Sequence, residues 1–165
     1  MKAAGFDLST KAIDVVTIPF DDVIEHEGER AIHTRVPLEL DKSDPTAAHL
    51  YVCRILRASV WDKFDFEDVV VAFVESPVGP GSRRLLPVFG ALIAALPRDV
   101  AFCPLAPSEW KREFTGSGRS TKDDVSDTAR AMGCPAEWSQ DACDAFGIAW
   151  AGREMNLRAL GVVAA

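Results

Sequence analysis

Apolar and polar positions along the chain fall into two rhythms, one of period two and one of period 3.6. Residues 3–9, Ala-Ala-Gly-Phe-Asp-Leu-Ser, and 12–20, Ala-Ile-Asp-Val-Val-Thr-Ile-Pro-Phe, read as two strands. Ser9-Thr10-Lys11 between them is short enough for a hairpin. Ala31 to Leu38 alternates loosely and predicts a third strand. Asp44-Pro45 opens a helix with apolar positions at Leu50, Val52, Ile55, Leu56 and Val60. After a connector, Phe64 to Asp68, the run Val69 to Val74 is continuously apolar, the pattern of a strand covered on both faces. It leads directly into Glu75-Ser76-Pro77.

A Gly/Pro loop, Val78 to Ser82, and Arg83-Arg84 come next, then a helix over Leu85 to Leu96 that Pro87 suggests starting about there. Val100 to Leu105 predicts a short strand, and a helix carrying Trp110-Lys111-Arg112 follows Pro107-Ser108. The turn Gly116 to Lys122 leads into a helix at roughly 121–132, with Thr121 and Asp124 as a capping box and Gly133 and Pro135 as stop signals. A last helix covers about 139–153. Ser139 can cap it, and Ala142, Ala145, Phe146, Ala149 and Trp150 share its core side. This order predicts an α/β fold, one mixed sheet with helices on its faces, in a single domain at 1–153 with a short apolar tail at 154–165.

Composition narrows the function. At 165 residues and 48% hydrophobic, the chain can bury a core and is not a disordered segment. No apolar run reaches 18 residues, and a charge follows the N-terminus too soon for a signal peptide, so a cytosolic protein is expected. The four cysteines form no Cys-x-x-Cys pair and do not cluster with His26, His33 or His49, which argues for reduced thiols and against zinc. The histidines also lie in segments with no partnering motif for a Ser-His-Asp site. A net charge of −7 speaks against bulk electrostatic attraction to DNA, so nucleic acid would need a local basic surface or bound cations.

Four acids stand in unexpected places. Asp7 interrupts an apolar strand, Glu75 ends a buried one, and Asp141 and Asp144 lie about 60° apart on one helix face. Each has a plainer reading: an edge-strand charge or a partner for Lys11, a strand-end acid facing water, and first-turn acids that suit the helix dipole. Together they form a hard oxygen-donor set without sulfur or imidazole, which suits Mg²⁺ or Mn²⁺. Two such ions, about 3.5–4 Å apart, would activate water and stabilise the leaving oxygen of a phosphodiester. Gly116-Ser117-Gly118 offers backbone amides ahead of a helix, and Lys111, Arg119 and Lys122 bring positive charge to the same region. An ordinary surface loop before a capped helix is the plainer alternative.

These segments resemble a known family. Gly5-Phe6-Asp7-Leu8-Ser9-Thr10 is similar to the first-strand motif Gly-Ile-Asp-Pro-Gly-Ser/Thr of RuvC-type Holliday-junction resolvases, in the RNase H and retroviral-integrase superfamily. Val74-Glu75-Ser76-Pro77, the lysine–glycine-loop–lysine segment from Lys111 to Lys122, and Asp141-Ala142-Cys143-Asp144-Ala145 resemble its later motifs, in family order. The resemblance, to compact forms carried by bacteria and their phages, implies a central five-stranded mixed sheet flanked by helices. It implies a homodimer that nicks paired strands of branched DNA, leaving 5′-phosphate and 3′-hydroxyl ends. Asp7, Glu75, Asp141 and Asp144 are then ligands for two Mg²⁺ per subunit, with Mn²⁺ able to substitute, and Lys111 and Lys122 contact phosphate. Family members often carry an aromatic after the second acid. Here Arg83 and Arg84 follow the loop and are expected to grip backbone in its place. Two other classes remain open: a branched-DNA-binding module without catalysis, and phosphotransfer, since the first motif also looks like the phosphate loop of actin-like sugar kinases.

Overall fold

The computed structural model describes residues 1–9, 11–20, 27–38, 66–79 and 82–162. The helix expected after Asp44-Pro45 lies outside them. Five strands, β1 (Lys2–Leu8), β2 (Ala12–Pro19), β3 (Ile32–Pro37), β4 (Val69–Glu75) and β5 (Ala101–Leu105), form one mixed sheet in the order β3-β2-β1-β4-β5. β2 runs antiparallel to β1 and to β3, whereas β4 is parallel to β1 and to β5. Ser9 makes the first turn: its backbone N–H donates to the Ala12 carbonyl at 3.0 Å, and its Oγ accepts from the Ala12 N–H at 2.9 Å. That closure sets the hairpin register, with Leu8 opposite Ile13 and Asp7 opposite Asp14.

Period-two alternation then sorts the side chains. Ala4, Phe6, Leu8, Ile13, Val15, Ala72 and Val74 pack on one face against Val88, Ala91, Leu92 and Ala95 of helix α1 (Ser82–Ala95). The other face receives α2 (Pro107–Thr115), α3 (Lys122–Ala131) and α4 (Gln140–Ala159), whose Trp110, Phe114, Val125, Phe146 and Ile148 join Ala3, Val16, Ile18, Val71 and Phe73. Each large apolar side chain fully buried in these layers stabilises the fold by about 1.5–3 kcal/mol. β1, β2 and β4, covered on both faces, are accordingly almost wholly apolar.

Helix α4 lies directly on the central strands because two glycines permit it. A Cβ on Gly5 would collide with the Ala145 carbonyl and the Ala149 amide, and one on Gly152 would enter the Phe73 ring. Backbone therefore meets backbone where α4 crosses β1, one helical turn after the two aspartates at its start.

Two elements differ from the sequence reading. α1 begins at Ser82, so Pro87 lies inside the helix and not at its start. The proline forfeits one backbone bond near the N-terminal end, and burial of Val88, Ala91 and Leu92 carries the helix through. Arg83 and Arg84 thus occupy the first turn of α1 and are exposed. α4 continues past Arg153 to Ala159, with Leu157 buried, so the start of the expected tail is helical. Among the described residues, no helix is long and apolar enough to cross a membrane.

Candidate functional site

Asp7 and Glu75 occupy adjacent places on parallel strands, each one residue beyond the last registered pair, Phe6 with Val74. By alternation both point to the α4 face. Ser139 accepts a hydrogen bond from the Ala142 N–H at 3.2 Å and starts α4, which puts Asp141 and Asp144 in its first turns above those strand ends. The α4 crossing at Gly5 thereby brings the four acids to one end of the sheet.

Electrostatics ties them together. The Asp7 carboxyl is pushed up to about 8 by burial and then by the charges of Asp144, Glu75, Asp141 and Asp14. Glu75 and Asp144 are also raised, chiefly by burial, with partial relief from hydrogen bonds and from Lys111 and Lys122. Each of these acids except Asp7 accepts a hydrogen bond from a neighbouring side chain. Trp110 Nε1 donates to Glu75 Oε2 at 2.7 Å, Gln140 Nε2 to Asp144 Oδ1 at 2.8 Å, and Arg35 Nη1 to Asp141 Oδ2 at 3.3 Å. Among the described residues no three Asp, Glu, His or Cys side chains gather closely enough to hold a metal ion. In donor chemistry the residues fit a hard divalent ion: carboxylate oxygens, with that of Asp7 held protonated at neutral pH by burial and then by the charge of the other acids.

Lys111 and Lys122 lie close enough to lower the carboxyls of both Glu75 and Asp144. The loop that joins them folds back on α2. Gly116 caps that helix at φ +84°, and a Cβ on Gly118 would press on the Ser108 carbonyl at 2.7 Å. Lys111 Nζ donates to the Ser120 carbonyl at 3.3 Å. The cradle of free amides expected over Gly116-Ser117-Gly118 is partly occupied. The Gly116 N–H donates to the Arg112 carbonyl at 3.0 Å, the Ser117 N–H to Thr115 Oγ1 and the Arg119 N–H to Ser117 Oγ, both at 3.3 Å. Gly116 and Gly118 shape the loop, while Lys111, Lys122 and exposed Arg119 carry its charge. The Thr121–Asp124 capping box is present, with the Thr121 N–H donating to Asp124 Oδ2 at 2.7 Å.

No family model matches the sequence, and no curated protein matches it. Solved structures do. The Thermus thermophilus RuvC structure aligns with a TM-score of 0.70 at 14% identity, covering 98% of this chain and 98% of that one. The fold is RuvC-like. A second structure, T. thermophilus RuvC in complex with Holliday junction substrate, aligns with a TM-score of 0.70 at 15% identity, over 98% of this chain and 97% of the other.

On this RuvC-like fold sit polar residues that sequence reasoning passed over. Asp14 is 1% exposed. Its Oδ1 pairs with His33 Nε2 at 2.7 Å, and its Oδ2 accepts from Arg35 Nη1 at 2.8 Å. His33, for which the sequence showed no partnering motif, is thus held by a carboxylate and packs on Trp138 with ring centroids 5.4 Å apart. The signal for Asp14 was available: it interrupts an apolar strand as Asp7 does, and a tight turn about Ser9–Ala12 puts the two opposite each other. Gln140 bridges Ser126 and Asp144, accepting from Ser126 Oγ at 2.6 Å. Trp110, read only as a helix residue, is fully buried with its indole aimed at Glu75. Nothing in local sequence pairs α2 with the end of β4.

Proposed function

We propose that this protein is a divalent-metal-dependent endonuclease that nicks branched DNA, four-way junctions among its substrates. The observation that carries the reading is the placement of Glu75, Asp141 and Asp144 near enough to Asp7 at the strand ends for their charges to raise its carboxyl, with Lys111 and Lys122 beside Glu75 and Asp144. The likeness to RuvC, one structure of which is in complex with Holliday junction substrate, supports the choice of DNA.

Asp7, Glu75, Asp141 and Asp144 would hold Mg²⁺, two ions per subunit, with Mn²⁺ as a substitute. Bound there, the metal supplies water activation and charge neutralisation at the leaving oxygen, giving 5′-phosphate and 3′-hydroxyl ends. The chain's own side chains do the rest. Trp110 and Gln140 orient Glu75 and Asp144 through single hydrogen bonds. Lys122 and Lys111 hold the scissile phosphate against the acids and offset charge as it builds. Arg83, Arg84 and Arg119, all exposed, grip flanking phosphates. This local charge is what lets a chain of net charge −7 bind DNA. Paired nicking needs a two-fold dimer. On α1, Leu86 and Ile93 are 52% and 43% exposed, seven residues apart on one side of the helix, and a Cβ on Gly90 between them would meet nothing. That strip is the surface proposed for self-association.

The test is purified protein with Mg²⁺ on four-way, three-way, flap and linear DNA, with product ends mapped. Paired nicks in branched substrates, lost in chelator and independent of ATP, are expected; absence of cleavage on every substrate refutes the reading. A second reading, a branched-DNA-binding module without catalysis, draws on the lack of a closed ligand group among the described residues. Binding without nicking across a full Mg²⁺ and Mn²⁺ series selects it.

A further inference from the structure

Arg35 is on neither side of the reaction just described, yet it touches that site. It lies opposite Asp14 in the β2–β3 ladder. Its Nη1 donates to Asp14 Oδ2 at 2.8 Å, and the same nitrogen reaches Asp141 Oδ2 at 3.3 Å. The two bonds differ in kind. Asp14 is buried, and its other oxygen is taken by His33 at 2.7 Å, so this carboxylate is a fixed anchor. Asp141 has a side chain 34% exposed at the head of α4, and its link to Arg35 is longer than a charge-assisted bond at its optimum. The guanidinium is thus fastened on the sheet side and steers on the helix side.

We propose that Arg35, anchored on Asp14, is a positioning residue that holds the Asp141 carboxylate ready for the divalent ion. This rests on the metal-site reading above. The contact engages Oδ2 alone, restricts the side-chain rotation of Asp141 and so reduces the ordering cost of ligation. Neutralising Asp14 also withdraws that carboxylate from competition, so the neighbouring strands present one ligand, Asp7, and not two.

The test is Mn²⁺ binding to DNA-free protein, followed by electron paramagnetic resonance and calorimetry, for wild type, Arg35→Gln and Arg35→Lys. Arg35→Gln is expected to raise the Mn²⁺ dissociation constant about tenfold, a typical loss for a group supporting a metal ligand. The Mg²⁺ concentration for half-maximal nicking should rise in step, with the rate at saturating Mg²⁺ nearly unchanged. Arg35→Lys, which keeps charge and donors, should recover most of the affinity. If Arg35→Gln does not fold because Asp14 is left under-paired, Asp14→Asn combined with Arg35→Gln removes both partners and is judged by the same tenfold loss. Mn²⁺ affinity equal to or tighter than wild type in the neutral variants overturns the proposal, as does a loss that Arg35→Lys does not repair. Wild-type protein that binds no Mn²⁺ overturns the metal-site reading itself, a separate outcome visible before any variant is compared.

Discussion

Asp7 and Asp14 are cross-strand neighbours, the same residue type at the same height on the same face of one hairpin. Their surroundings are opposite. Asp14 is enclosed by His33 and Arg35, one donor for each oxygen. Asp7 is surrounded by carboxylates, and its own carboxyl is pushed up to about 8 by burial and by their charge. A buried charge supplied with counter-charge supports the fold, whereas one surrounded by like charge strains it and serves only when something cationic arrives. The β2–β3 side of the site is therefore read as structure and the β1–β4 side as chemistry.

The strongest way to break that contrast is Asp7→Asn. Metal-dependent nicking should fall by about a thousandfold or more, measured on a synthetic junction, while junction binding persists. Residual cleavage near wild type would move Asp7 to the structural side. Thermal melting without metal at pH 8 is a second check. Asp7→Asn should raise the midpoint by removing a crowded charge, and Asp14→Asn should lower it by weakening bonds that contribute about 1–3 kcal/mol. Shifts of the same sign would erase the distinction.

The pH dependence sharpens it further. Asp7 has a folded pKa well above its ordinary value, so between roughly pH 4 and pH 8 the folded state holds a proton that the unfolded state has released. Stability of the metal-free protein from this group is therefore full at low pH and is lost as pH rises toward 8. Denaturant titrations should show that decline in wild type, little of it in Asp7→Asn, and its reversal when Mg²⁺ is added. The smallest effect concerns the cations on the chemical side. Lys122→Ala should slow nicking about 10–100-fold and weaken junction binding only a few-fold, since Lys122 lies near Glu75 and Asp144 and is proposed to meet phosphate there. Equal losses in rate and binding would make it a backbone anchor alone.

Much of this was legible in the chain. Alternating runs and the continuous apolar run Val69 to Val74 located the five described strands, the Ser9 turn implied the hairpin, and Thr121 with Asp124 announced the cap of α3. Acids inside apolar strands marked Asp7 and Glu75, because local sequence shows when a charge stands where a strand will be buried. The start of α1 was misplaced because Pro87 favours a helix start locally, and packing of Val88 and Leu92 overrode it. The Gly116 amide, expected to be free, is taken because it closes α2, a bond that depends on where that helix stops.

Sequence alone determined the alternation of faces, the turns and the residue types at the site, since these depend on neighbours a few positions apart. Tertiary structure decided which charges acquire partners. Trp110 reaches Glu75 across 35 residues and Arg35 reaches Asp141 across 106, distances over which no propensity acts. Whether a carboxylate is anchored or left among its own kind depends on which strands and helices the packed core brings together, here through the close crossing of α4 over Gly5.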